Sequence, residues 1–339
     1  MSTGHMQTTT TCSSTARSAA IPPGCEINVG GNPTGLADFM AACTASLRGE
    51  LTVEPAGFAE LRDTFVAAGL AALYGVPSGP AWIQFGLSFS LKEPRRVHAL
   101  LAGLAREWVA RPQVTNFFFM HKPPGIRLRF ECDPADRLEL AAQLREILTG
   151  WRAAGAITGF TAGVYEPEAH LFGGPASMHS VHRLFTADSL AWLGYHTSGN
   201  PDPAWALSLI MIRSLMQALG VAGWEDRDVW DRVRRQAFRQ LPEFTPGFAG
   251  AAQALREAWS AGATALLSPS LAELTAEHAA AIRPVADSWR TDYFESGHAY
   301  VGPREAIAYY IVFHWNRAAL PMTRQALIAE ALAQSPVQP

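Results

Sequence analysis

The stretch from Trp82 to Glu166 constrains the fold most, because its hydrophobic period switches between two residues and helical spacing in a fixed order. Trp82–Ser90 alternates as a strand. Glu93–Ala110 has helical spacing, with Pro94 in the first turn, where a missing N–H leaves no bond unmade. Asn116–His121 is an aromatic strand, joined through Lys122-Pro123-Pro124 to a second strand, Gly125–Cys132. Asp133 then caps a helix that has Pro134 at its first position and runs to about Ala154. Ile157–Glu166 closes the series as a strand.

The order β-α-β-β-α-β is the split βαβ, or ferredoxin-like, arrangement with an antiparallel sheet. Upstream, Leu36–Leu47 and Phe58–Leu73 have helical spacing, and Val76-Pro77-Ser78-Gly79-Pro80 punctuates the chain. Downstream, helices are expected at Ser177–Tyr195, Pro203–Leu219, Asp226–Gln240, Phe248–Ala261, Ser270–Asp287, Pro303–Ala319 and Thr323–Gln334. The expected class is α+β: a ferredoxin-like half followed by a mainly helical half. Residues 1–35, rich in Ser, Thr, Gly and Pro, read as disordered or extended, and Gly4-His5-Met6 as a cloning remnant. Residues 36–339 read as one catalytic domain, with a helical lead-in (36–76), a ferredoxin-like part (82–175) and a helical part (176–335).

Composition narrows the function. The chain has 339 residues, 48% of them hydrophobic and 17% charged, enough for a substantial core. A formal net charge of -3 gives no global attraction to nucleic acid or anionic membrane. Cys12, Cys25, Cys43 and Cys132 form no CxxC pair, which leaves surface thiols as the plain reading and points to no zinc site or redox dithiol. No apolar run is long enough for a bilayer and no signal-peptide pattern is present, so a reducing, cytoplasmic setting is expected. Nucleotide and hydrolase fingerprints are missing as well; no GxSxG elbow or P-loop occurs.

Four segments could carry chemistry. In Ile126-Arg127-Leu128-Arg129-Phe130-Glu131, strand alternation puts Arg127, Arg129 and Glu131 on one face, a forked array suited to carboxylates or carbonyls. Patterning alone favours a solvated face with one Arg–Glu pair. Tyr165-Glu166-Pro167-Glu168 leaves a strand towards Gly173-Gly174, with two carboxylates that could do acid–base work or simply line a loop. His179 and His182, with His170 upstream, have helical spacing, but nothing near them supports a metal site. Finally, His314, Asn316 and Arg317 sit within one turn of an otherwise apolar helix and need partners or a cavity. Tyr293 lies in a further polar run, Asp287–Phe294.

In order, these landmarks resemble one family. They are Phe117-Phe118-Phe119 leading into Ile126–Phe130, Tyr165-Glu166-Pro167-Glu168 with Phe172-Gly173-Gly174, Leu184-Phe185 with Asp188-Ser189, and His314-x-Asn316-Arg317. The set resembles the C-terminal elimination domain of lantibiotic dehydratases and its free-standing relatives, the pyridine synthases of thiopeptide biosynthesis. Family members that remove glutamate tend to read His-Met-x-x-Asn-Arg, which would place the histidine at Val312. Here the histidine is His314, two positions later.

That departure moves the implied activity from glutamate elimination on glutamylated Ser/Thr to a formal [4+2] aza-cycloaddition. Two dehydroalanines of a thiazole-containing precursor peptide would join, with loss of water and the leader peptide, to form a central pyridine. The remaining reading is a non-catalytic leader-binding module. The resemblance implies His314, Tyr293, Asp188 and Ser189 as catalytic residues. It implies Arg127, Arg129, Arg183, Tyr165, Glu166, Trp192, Asn316 and Arg317 as substrate-binding residues, no metal and no cofactor. The implied partner is the precursor peptide, its leader docked as an added strand on the sheet edge, with transient contacts to other pathway enzymes.

Overall fold

The computed structural model describes residues 26–51, 54–73, 81–90, 93–199, 202–236, 239–241, 245–262 and 266–334. Cys12, Cys25, the Gly4–Met6 segment and the Val76–Pro80 punctuation lie outside them. Contacts group the chain into two units, residues 1–78 and 79–339. The first holds an antiparallel hairpin, β1 (Glu26–Val29) and β2 (Asn32–Gly35), followed by α1 (Leu36–Leu47) and α2 (Phe58–Leu73). Val29, Phe39, Cys43 and Phe58 form its small core.

The second unit begins with β3 (Ala81–Ser88), α3 (Pro94–Val109), β4 (Val114–Lys122), β5 (Gly125–Cys132), α4 (Arg137–Ala153) and β6 (Gly159–Gly163). The sheet order is β4-β5-β3-β6, with every pairing antiparallel, as the split βαβ pattern requires. Several boundaries differ from expectation, two of them with a local cause. Helix α4 starts at Arg137 because the Asp133 carboxylate accepts the Ala135 N–H at 2.8 Å, making a local turn that delays the helix. Strand β6 ends at Gly163, where its pairing to β3 stops at Gln84.

One sheet face is apolar. Ile83, Phe85, Leu128 and Phe130 are buried there, and Trp108 of α3 meets Phe130 at 4.8 Å. Its buried positions, among them Val97, Leu101, Leu104, Ala105 and Trp108, recur at helical spacing and make α3 amphipathic. Cys43 and Cys132 are both buried and free, which corrects the surface-thiol reading.

The helical half comprises α5 (Ala169–Phe172), α6 (Pro175–Ser198), α7 (Ala204–Ala218), α8 (Trp224–Arg235), α9 (Phe248–Ala261), α10 (Pro269–Trp289), α11 (Pro303–Arg317) and α12 (Met322–Ala333). A π-helical turn, Arg290–Phe294, extends α10. Helix α6 lies along β4 and closes that edge: Thr186 Oγ1 accepts the Phe117 N–H at 3.0 Å and Ser189 Oγ the Phe119 N–H at 3.3 Å. The other edge strand of this sheet is β6. Among the described residues no helix is long and apolar enough to cross a membrane.

Candidate functional site

The arginine face of β5 is not the solvated surface that patterning favours. Arg129 is 7% exposed, and its guanidinium lies between the rings of Phe118 and Tyr165, 4.8 Å from each. Across the β3–β5 ladder it faces Gln84, donating from Nε to Oε1 at 2.6 Å. Its Nη1 has no hydrogen-bond acceptor. Burial lowers the Arg129 pKa to about 10 despite the charges of Tyr165 and Glu168, so it stays cationic at neutral pH. Glu131 pairs with neither arginine; it takes hydrogen bonds from Thr115 and Asn116 instead.

Beside Arg129, the Tyr165 hydroxyl is 2.9 Å from Nε2 of His182 on α6. Trp82 packs on both, at 4.8 and 4.5 Å. Burial lowers the His182 pKa to about 3, with the neighbouring His179 and Arg129 charges acting in the same direction, and burial raises that of Tyr165. Both groups are therefore neutral at pH 7, and the phenol donates to the imidazole. Arg127, opposite Gly86, borders a hollow of about 330 Å³ that Gln84, Thr161 and Gly163 also line. A larger hollow, about 1080 Å³, lies among α8, α9 and α12 and holds none of the candidate residues.

The α11 residues form a second, sealed network. His314, Asp188 and Arg317 are each 0% exposed. His314 Nδ1 lies 2.7 Å from Asp188 Oδ1, while Nε2 meets Ser208 Oγ at 2.9 Å. Arg317 Nε donates to Asp188 Oδ2 at 2.5 Å. Burial opposes ionisation of Asp188, but His314 and Arg317 override it and hold the carboxyl well below the usual range. Arg317 lies over Phe185 at 4.4 Å, and Phe185 in turn meets Phe118 at 5.2 Å. Arg129 and Arg317 thus flank one run of aromatic rings. Both terminal nitrogens of Arg317, like Nη1 of Arg129, are buried without an acceptor.

Four expected catalytic residues therefore have structural partners. Ser189 caps the β4 edge, and Asp188 and His314 are enclosed with Trp192, whose indole nitrogen is 3.2 Å from His314 Nδ1. Tyr293 is 4% exposed, and its hydroxyl accepts the N–H groups of Tyr300 and Val301 at 3.3 and 3.2 Å. It packs where a Cβ on Gly173 would lie, 1.8 Å from its oxygen, which is why that turn needs glycine. Arg183 is half-buried on α6, Glu166 is exposed, and Asn316 is half-buried, its carbonyl 3.1 Å from His121 Nδ1.

Gln84, Trp82, Ser208 and His278 were not among the expected site residues, and His182 was noted only for its spacing to His179. The first two were legible, since they share the arginine face by simple alternation along β3. His278, 3.6 Å from Asp188, and Ser208 become neighbours only through tertiary packing. His170, His179 and His182 do not converge: the first two are exposed and the third engages Tyr165.

The sequence pattern described as "Lantibiotic biosynthesis dehydratase C-term" matches residues 82–335. The chain belongs to that family. Its fold is similar to that of the tRNA-dependent lantibiotic dehydratase MibB from Microbispora sp. 107891, with a TM-score of 0.55 and 16% identity. That match covers 76% of this chain and 28% of the dehydratase, so the chain spans well under half the length of its structural relative. No curated protein matches the chain.

Proposed function

We propose that this protein is a cyclase of ribosomally made peptides, forming a pyridine by a formal [4+2] aza-cycloaddition between two dehydroalanines. Water and the leader peptide are then lost. The observation that carries the choice over elimination is on α11. The position of an elimination-type histidine is occupied by Val312, half-buried on the same side as Tyr309 and Asn316. His314 is about 200° further round the helix, at ~100° per residue, and points into the sealed network. It cannot stand in for a histidine at 312.

Cyclisation asks mainly for positioning and proton transfer. Holding both dehydroalanines of one flexible peptide together offsets a barrier of roughly 7–11 kcal/mol in favourable cases. Arg127, at the border of the hollow, supplies a donor for a substrate carbonyl, with the Arg129 charge behind it, and the partly exposed Trp82 and Tyr165 rings suit thiazoles. The Tyr165 hydroxyl, its own proton donated to the neutral His182 imidazole, accepts a hydrogen bond from the substrate amide N–H; solvent takes that proton and returns one to the amide oxygen, which gives the iminol tautomer with no net change in protons. His314, Asp188 and Arg317 act as positioning residues beneath this face.

The test is to incubate the purified protein with a leader-bearing azole peptide containing two dehydroalanines and follow it by mass spectrometry. Release of the leader as an amide together with a cyclised core supports the reading. Binding without conversion would leave only a leader-binding module.

A further inference from the structure

Three histidines outside the site just described converge: His98 on α3, His121 near the end of β4 and His196 on the last turns of α6. One ring nitrogen from each lies within 4.8 Å of the others, and His98 Nε2 and His121 Nε2 are 3.0 Å apart. Each ring also bonds a backbone carbonyl. His121 Nδ1 is 3.1 Å from the Asn316 oxygen and His196 Nε2 is 2.8 Å from the Arg317 oxygen, while His98 bonds the Pro94 carbonyl one turn back.

A carbonyl can only accept, so each of those nitrogens carries the proton. The nitrogens that face one another therefore present lone pairs, and two lone pairs 3.0 Å apart repel unless a cation lies between them. Fixing the distal nitrogen by a carbonyl is also what orients a metal-ligating histidine and sets its tautomer.

We propose that His98, His121 and His196 form a divalent transition-metal site, best suited to zinc. Tetrahedral zinc with ~2.0–2.1 Å bonds places its nitrogen ligands about 3.3 Å apart, within small ring rotations of the geometry seen. His98 is buried and His121 and His196 are partly buried, and water would complete a four-coordinate zinc. The ion ties α3, β4 and α6 to the two carbonyls at the end of α11, the turn that carries Arg317. The site is argued independently of the cyclase reading.

The experiment uses tag-free full-length protein, dialysed against EDTA and titrated with Co²⁺ by visible absorption and with Zn²⁺ by calorimetry. One ion per chain with tetrahedral cobalt bands is expected, and Zn²⁺ should raise the melting temperature. His121→Ala and His196→Ala should each weaken binding by more than about 100-fold, beyond the effect usual for a mere supporting residue. His179→Ala, an exposed control, should bind like the parent. Absence of saturable binding by the parent protein overturns the site without reference to any variant. So does binding that both substitutions leave unchanged, and a hydrogen-bonded histidine cluster would then remain.

Discussion

Gln84 and Arg129 face each other across β3 and β5, and the amide oxygen of one accepts the Nε–H of the other inside an aromatic enclosure. That bond orients a buried cation whose Nη1 has no acceptor of its own. Gln84→Leu should lower stability by about 1.5–3 kcal/mol, the range for a buried charged donor losing its acceptor. Urea denaturation reads this directly. Gln84→Glu should retain most of the stability, because it keeps an acceptor at the same place.

Arg129→Lys should be far from conservative. Lysine has neither the planar fork nor the stacking between Phe118 and Tyr165. Peptide affinity should fall by on the order of tenfold, equivalent to ~1.4 kcal/mol, measured by fluorescence anisotropy with a labelled precursor.

Around Tyr293 two substitutions should rank in a definite order. Tyr293→Phe frees two backbone N–H groups near an exposed loop and should destabilise by about 1 kcal/mol. Gly173→Ala forces a Cβ into the phenol oxygen at a φ of 96° and should lower stability by roughly 3 kcal/mol or more. Thermal denaturation of the pair checks the ranking; equal effects would mean that the phenol is not what makes position 173 require glycine.

The α+β class was legible because alternation and helical spacing are local. Gly125–Cys132 and Phe248–Ala261 have the boundaries that their spacing gives. The burial of the arginine face was not, since a strand's polar side looks the same whether water or α6 covers it. Nor could spacing reveal that His98, His121 and His196 meet, as they belong to three separate elements. The α11 cluster was half legible. Polar residues on an apolar helix signalled buried partners, but Asp188, Ser208 and His278 come from three other helices.

Asp188 is the acid that keeps Arg317 tolerable in the interior. Asp188→Asn should destabilise by about 3–5 kcal/mol, because a fully buried guanidinium would lose its counter-charge. Chemical denaturation measures this, and a loss below about 1 kcal/mol would mean that water reaches the network.

Acid should weaken the fold well above the range of ordinary carboxylates. His182 and His278 have folded pKa values of about 3 and 4, lowered chiefly by burial from the usual 6.5. Below pH 6.5 the unfolded chain takes up protons that the folded one refuses, so stability falls as pH drops. The loss continues down to about pH 4 for His278 and about pH 3 for His182. Each group contributes a slope approaching ~1.4 kcal/mol per pH unit. Urea midpoints at pH 7 and pH 5, in EDTA, should show the decline.

A competition in one tube separates cyclisation from glutamate elimination most directly. Equal amounts of a glutamylated precursor and a bis-dehydroalanine azole precursor, sharing one leader, are mixed with the purified protein and sampled by mass spectrometry. The expected result is consumption of the bis-dehydroalanine peptide alone, with a core that has lost water and leader. Loss of glutamate from the other peptide, with the bis-dehydroalanine peptide intact, would contradict it.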